Sequence, residues 1–144
     1  MSIVVGTREN RDDWLDLRKA VYTGLDHDFH LNEIDTFLSD PKRTCFLHYM
    51  GAEATGFVEV TLRNIVDGCL SSPVGYIEGI FVKSKFRYKG IAKKLLDVST
   101  TWCIEHGCTE LATDAEVNNI DAQRFHINMG FEETYRIVEY KKNI

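Results

Sequence analysis

Apolar residues recur at helical spacing in two segments near the start of the chain. Residues 9–22 and 31–41 each place an apolar side chain at every third or fourth position, which predicts two amphipathic helices. Pro41 ends the second helix, because proline cannot continue the hydrogen-bond pattern. The apolar positions are Trp14, Leu17 and Val21 in the first segment and Leu31, Ile34 and Leu38 in the second.

Short apolar runs separated by turn residues predict the strands. They cover residues 2–6, 44–50, 54–65, 74–82 and 109–113, and one or two final strands fall within 131–142. Gly75 and Gly79 lie inside the fourth run, where glycine often marks a bulge or the close approach of another backbone. Helical spacing returns in residues 91–107 and 118–130. This order predicts one domain over residues 1–144, of the α/β class, with helices packed on a mixed sheet.

Composition narrows the function classes. The net charge of −5 argues against general nucleic-acid binding. No apolar run reaches about 18 residues, and the N-terminus lacks a basic segment followed by an apolar one, so we expect neither a membrane span nor a signal peptide. The cysteines, at positions 45, 69, 103 and 108, show neither a CxxC pair nor zinc-ligand spacing. We therefore expect reduced structural thiols, no metal site and a cytoplasmic protein.

Residues 83–94, KSKFRYKGIAKK, contain six cations and no acid, although a helix is predicted to begin within them. A helix N-terminus carries partial positive charge and free amides, so it repels cations and attracts anions. Gly90 allows close backbone approach at this point. The segment therefore predicts a phosphate cradle; the alternative is a solvated basic turn. Neither GxxxxGK[ST] nor GxGxxG is present, which excludes Walker and Rossmann phosphate loops.

Arg87-x-x-Gly90-x-Ala92 resembles the pyrophosphate-binding motif of the GNAT superfamily of acyl-CoA-dependent N-acyltransferases. The order of elements and the MGF sequence ending at Phe131 fit that superfamily over nearly the whole chain. The resemblance implies a mixed sheet of six to seven strands, splayed in the middle, with about four helices. Residues 57–141 more closely resemble the bacterial aminoglycoside 6′-N-acetyltransferases, through SSPVGYIEGIFV, ATDAEVNN and FHINMGFEET.

The resemblance implies acetyl-CoA as the acetyl donor. The backbone of Ile80 and Val82 would pair with the pantetheine arm, and the amides from Arg87 to Ala92 would hold the pyrophosphate. Asn119 would lie near the pantetheine, with Ala122 one turn further on. The expected cofactor-binding residues are Ile80, Phe81, Val82, Arg87, Tyr88, Lys89, Gly90, Ile91, Ala92, Asn119 and Ala122.

Acetylation of an amine needs a base for the ammonium and stabilisation of the leaving thiolate. Glu78, a carboxylate in an apolar strand, and Asp114, at a strand end, are both candidate bases, and the sequence does not choose between them. The structural alternatives are a pairing of Glu78 with a neighbouring arginine and a turn-forming or capping role for Asp114. By resemblance, His126 is a candidate proton donor to the thiolate; a structural histidine is the alternative.

The residues that would bind the acceptor are the least clearly indicated by the sequence. The resemblance places Tyr22 and Val66, together with Glu78 and Asp114, around an aminoglycoside, although an aromatic residue expected near Ile65 or Val66 is absent. The acidic stretch from 25 to 40 would form a negative rim for a polycation or else a solvated helix face. We expect direct attack by the amine in a ternary complex, and a homodimer. A peptide or metabolite amine as acceptor, and a non-catalytic CoA-binding module, stay open.

Overall fold

The computed structural model describes residues 2–144 and contains a mixed sheet between two layers of helices. The strands are β1 (Ser2–Val5), β2 (Arg43–Met50), β3 (Glu53–Arg63), β4 (Val74–Val82) and β5 (Leu111–Thr113). The helices are α1 (Arg11–Val21), α2 (His27–Ser39), α3 (Ile91–Glu105) and α4 (Ile120–Asn128). The strands lie in chain order across the sheet; β4 and β5 are parallel and the other neighbours are antiparallel.

Each face of the sheet buries its own core. On one face, α1 and α2 pack against alternate residues of the central strands, with Trp14, Ile34 and Phe57 at most 1% exposed. On the other face, α3 covers Val58 and Val60 through Leu95, and all three are fully buried. Period-two alternation in β3 therefore separates the two faces, as expected for a sheet that is buried on both sides.

The number of strands is lower than predicted. Residues 2–144 form five strands rather than six to seven, and the expected final strands in 131–142 do not form. This segment has the alternation of a strand, but a strand also needs a partner edge for its amides and carbonyls. Its apolar side chains are exposed instead: Tyr135 at 65%, Ile137 at 69%, Val138 at 75% and Tyr140 at 90%. The four helices agree with the prediction.

All four cysteines are free, and Cys45, Cys103 and Cys108 are buried. Within residues 2–144, no helix has the length and apolar character required to cross a bilayer.

Candidate active site

A bulge interrupts the pairing of β3 with β4. Glu59 lies opposite Gly79 and Val60 lies opposite Ile77, so Glu78 is the extra residue on β4. On its other side, β4 pairs with β5 only from Gly75 to Ile77. The backbone from Glu78 to Val82 is therefore left without a β5 partner, in agreement with the splayed sheet that the resemblance implies. Only such an open edge can hydrogen-bond to an extended amide chain.

Gly79 makes room for Tyr22. A Cβ atom at position 79 would lie 1.7 Å from the Tyr22 hydroxyl oxygen, which is far inside contact distance. That hydroxyl donates to Oε1 of Glu59 at 3.2 Å. Tyr22 thus lies across the bulge, between the carboxyl end of α1 and the two central strands.

A cavity of about 560 Å³ opens beside Tyr22, between the α1–α2 pair and strands β3 and β4. Its wall carries both signs of charge. The acidic members are Glu33, Asp40, Glu59 and Glu78, and the basic members are Arg18, Lys42, Arg43 and Arg63. Val66 and Asp114, which we predicted to contact the acceptor, do not line this cavity.

The predicted acidic rim is only partly present. Glu33 and Asp40 line the cavity, and Asp40 is paired with Arg43 at 3.2 Å. Asp26 instead caps α2 by accepting from the Phe29 amide at 2.8 Å. Asp35 pairs with Arg11, and Asp28 is exposed. The solvated-face alternative therefore describes most of this stretch.

Glu78 is held by two residues of β3. Arg63 donates from Nη2 to Oε1 at 2.7 Å and from Nε to Oε2 at 3.1 Å. The Thr61 hydroxyl donates to Oε2 at 2.5 Å. Burial lowers the pKa of Arg63, but the hydrogen bonds and charge of Glu78 outweigh it and raise that pKa overall. The arginine pairing that we considered as the structural alternative for Glu78 is therefore present.

Asp114 lies close to the same group of side chains. Its Oδ2 accepts from the Tyr76 hydroxyl at 2.5 Å, and the Arg63 guanidinium carbon lies 3.5 Å from the centre of the Tyr76 ring. Burial, reinforced by the bond to Asp114, raises the pKa of Tyr76 and keeps its hydroxyl protonated. Arg63 and Tyr76 therefore connect the two carboxylates that the sequence offered as alternative bases.

His126 lies near Asp114, on α4. Its ring packs edge-on against Phe125 and Phe131, at centroid distances of 5.4 and 5.5 Å. Burial lowers the pKa of His126, against a hydrogen bond to the backbone of Asp114 that raises it. Nδ1 is buried without a hydrogen-bond partner among the described residues. Asn119 caps the same helix, since its Oδ1 accepts from the Ala122 amide at 3.1 Å.

A buried ion pair next to the cavity was not predicted. Glu59, 1% exposed, accepts two hydrogen bonds from Arg18 and a third from Trp14 Nε1 at 2.9 Å. Burial raises the pKa of the Glu59 carboxyl, and the Arg18 charge opposes that shift. A carboxylate in the otherwise apolar FVEV run of β3 is the sequence signal that could have revealed this pair.

Gly90 lies at the start of α3, where the sequence predicts an anion cradle. It has φ +76° and occupies the N-cap position, no side chain caps the helix, and a Cβ atom there would have no neighbour within 4 Å. The first-turn amides of α3 therefore lack acceptors within the helix. The predicted surplus of cations needs correction, because intramolecular carboxylates neutralise part of it. Lys85 lies 2.8 Å and Lys83 3.8 Å from Glu53, and Lys93 lies 2.9 Å from Asp97.

Comparison with known proteins agrees with this geometry. Residues 11–131 match the model of the Acetyltransferase (GNAT) family. The chain is 38% identical over 144 residues to the aminoglycoside N(6′)-acetyltransferase type 1 of Serratia marcescens, covering 99% of both chains. The crystal structure of the aminoglycoside 6′-N-acetyltransferase AAC(6′)-IG from Acinetobacter haemolyticus superposes with a TM-score of 0.95 at 32% identity, over 100% of this chain and 99% of that one.

A second solved structure is similar over nearly the full length. It is AAC(6′)-Iy in complex with the bisubstrate analog CoA-S-monomethyl-acetylneamine, with a TM-score of 0.95 and 35% identity over 99% of this chain and 98% of that one. The motif at Arg87, the open β4 edge and these full-length similarities agree with one another. The chain belongs to the GNAT acetyltransferase family.

Proposed function

We propose that this protein is an acetyl-CoA-dependent N-acetyltransferase that modifies the 6′-amine of aminoglycosides. The observation that carries the proposal is the position of Glu78, which borders the cavity at the point where β4 loses its β5 partner. Full-length similarity to aminoglycoside 6′-N-acetyltransferases supports the choice of acceptor. The charged wall of the cavity suits a polar molecule better than an apolar one.

The described residues fit coenzyme A. The backbone of Ile80, Phe81 and Val82 offers the open edge for the pantetheine amides, and Gly90 and the first turn of α3 offer amides for the pyrophosphate. Four of the other predicted contacts, Tyr88, Lys89, Ile91 and Ala92, flank Gly90 on both sides. Acetyl-CoA supplies an activated acetyl thioester, so the protein has to bind, orient and transfer protons.

Glu78 is the group that we assign to the acceptor amine. A carboxylate with three donors already bound is a weak base, so it acts once the ammonium replaces Arg63 or once a water relays the proton. Asp114 supports this site through Tyr76. Burial lowers the pKa of His126, which favours the neutral imidazole with its single N–H. We assign that N–H to the leaving thiolate, toward which it would turn from the Asp114 backbone.

The state of the thiols supports direct attack in a ternary complex. A cysteine nucleophile requires a lowered pKa. Burial instead raises the pKa of Cys45, Cys69, Cys103 and Cys108. No cysteine is therefore prepared to carry an acetyl group. The same free thiols favour a reducing compartment, and we place the protein in the cytoplasm.

We also propose a homodimer. The segment 131–144 carries exposed apolar residues in strand-like alternation and has no strand partner among residues 2–144. An unpaired segment of this kind is suited to pairing with an edge strand of a second copy. Sedimentation of the full chain and of a Tyr135→Lys/Ile137→Lys variant tests this; the variant should be monomeric, and an unchanged mass would contradict the proposal.

The activity is tested by thiol release from acetyl-CoA with kanamycin, tobramycin, a linear polyamine and short peptides as acceptors. A matched control is a kanamycin analogue with a hydroxyl group in place of the 6′-amine, which should give no turnover. Mass spectrometry should find one added acetyl group at the 6′ position. Faster turnover of peptides than of aminoglycosides would contradict the choice of acceptor, and coenzyme A binding without turnover of any amine would contradict catalysis.

A further inference from the structure

Arg63 occupies the place on Glu78 that an acceptor ammonium needs. Its guanidinium contacts both carboxylate oxygens, at 2.7 Å from Nη2 to Oε1 and at 3.0 Å from Nη2 to Oε2. A primary ammonium has three N–H donors and one positive charge, so it can satisfy the same two oxygens. Both cations cannot make all of these bonds at once.

The Arg63–Glu78 ion pair is partly exposed, so its separation costs little. The side chain of Arg63 is 43% exposed and that of Glu78 is 26% exposed. The neighbouring Arg18–Glu59 pair, by contrast, is 5% and 2% exposed, which makes its separation far more costly. A guanidinium that leaves Glu78 can stay stacked on the Tyr76 ring, whose centre lies 3.5 Å from the guanidinium carbon, and can be hydrated there.

We propose that Arg63 is a specificity-determining residue that competes with the acceptor amine for Glu78 and so selects polycationic acceptors. This inference rests on the proposed function, because it assigns Glu78 to the acceptor. A monoamine that displaces Arg63 exchanges one cation for another on the same carboxylate and gains little. A polycation gains in addition from Glu33, a carboxylate of the cavity that forms no ion pair among the described residues, whereas Asp40 is already paired with Arg43. Competition with Arg63 therefore weakens the binding of simple monoamines more than the binding of polycations.

The test compares Arg63→Met with the wild type. Methionine keeps the apolar length of the side chain and removes its charge and donors. We expect the KM for kanamycin to fall about fivefold with kcat within about twofold, as for loss of a partly exposed charged pair. For cyclohexylmethylamine, a monoamine, kcat/KM should rise by a larger factor. Guanidinium chloride at low millimolar concentration should then inhibit Arg63→Met competitively against the acceptor and leave the wild type unaffected.

Arg11→Met is the matched control. Arg11 also makes a two-bond contact with a carboxylate, Asp35, and its side chain is 37% exposed, but it lies outside the cavity. This variant should match the wild type with both acceptors and show no guanidinium inhibition. If Arg63 instead holds Glu78 in position for catalysis, Arg63→Met will lose kcat, Arg63→Lys will restore it, and the proposal is overturned.

A binding measurement separates this proposal from the proposed function. Ligand-observed NMR with cyclohexylmethylammonium should show binding to Arg63→Met and none to the wild type or to Arg63→Met/Glu78→Gln. This result is independent of aminoglycoside turnover, so it stands even if kanamycin proves not to be a substrate. Equal binding to the wild type and to Arg63→Met would refute the competition.

Discussion

Gly90→Asp tests the anion cradle. The backbone at Gly90 has φ +76° and the space around its Cβ position is empty, so an aspartate side chain fits sterically and the αL backbone costs about 1 kcal/mol. Its carboxylate would stand at the N-terminus of α3, where the pyrophosphate is expected. The comparison variant is Gly90→Asn, which has the same shape and tolerates the same backbone but carries no charge.

The size of the effect follows from Coulomb's law. Two unit charges about 4 Å apart repel by roughly 1 kcal/mol in water and by about 4 kcal/mol at the effective dielectric of a protein surface. Gly90→Asp should therefore bind coenzyme A between about fivefold and about 1,000-fold more weakly than Gly90→Asn. The effect on stability has the opposite sign, because a carboxylate at a helix N-terminus stabilises the helix by about 0.3–1 kcal/mol.

Isothermal titration with coenzyme A, at low salt and again near 0.5 M salt, measures the first effect, and thermal unfolding without ligand measures the second. Gly107→Asp is the control, since Gly107 has φ +88° and the same empty Cβ position but follows the other end of α3. It should bind coenzyme A as the wild type does. Equal affinities for Gly90→Asp and Gly90→Asn, in folded proteins, would place the diphosphate elsewhere and refute the assignment.

Four further predictions follow from named contacts. Gly75→Ala should destabilise the fold by about 2 kcal/mol in urea titrations, because its Cβ would lie 2.4 Å from Cys103 Sγ, and adding Cys103→Ala should recover most of that loss. Cys103→Ala and Cys108→Ala should each retain kcat in the thiol-release assay; loss of turnover in both folded variants would contradict direct attack. Glu78→Gln should lower kcat about 100-fold or more at unchanged coenzyme A affinity. Burial lowers the pKa of His48 in the folded protein, so the unfolded chain binds the proton more readily. The melting temperature should therefore fall as the pH drops below about 6.5, and it should fall less steeply in His48→Gln.

The part of the site expected to bind acetyl-CoA was predictable from sequence because the sequence features that indicate it are local. Gly90 and the apolar helix that follows it lie within one continuous stretch, and their effect on the backbone does not depend on distant residues. The net charge of residues 83–94 does depend on one, because Glu53 pairs with Lys83 and Lys85. Gly79 in the fourth apolar run likewise predicted a bulge, and the register shift between Glu59 and Val60, opposite Gly79, confirms it. The cofactor contacts themselves stay predictions.

The acceptor side was not predictable in the same way, because its partners meet across the sheet. The contact of Arg63 with Glu78 depends on the β3–β4 register, and a shift of one residue would send a side chain to the other face. The Arg18–Glu59 pair depends on how α1 docks on β3, over a separation of 41 residues. The prediction of final strands was wrong for a related reason. The alternation in 131–142 indicates a segment that could pair, but the sequence does not show which edge it would pair with.

The bulge at Glu78 connects the two halves of the site. Before it, the odd-numbered Ile77 faces α3; after it, the even-numbered Ile80 and Val82 face α3, while Phe81 packs with the α1–α2 core. The alternation has reversed, so two consecutive residues, Glu78 and Gly79, both face the α1–α2 side. One of these positions provides the carboxylate, and the other must be glycine because Tyr22 lies against it. The same extra residue ends the pairing with β5 and opens the edge of β4. A single inserted position therefore places Glu78, our proposed proton acceptor, beside the open strand edge, and neither feature would survive restoration of a regular strand.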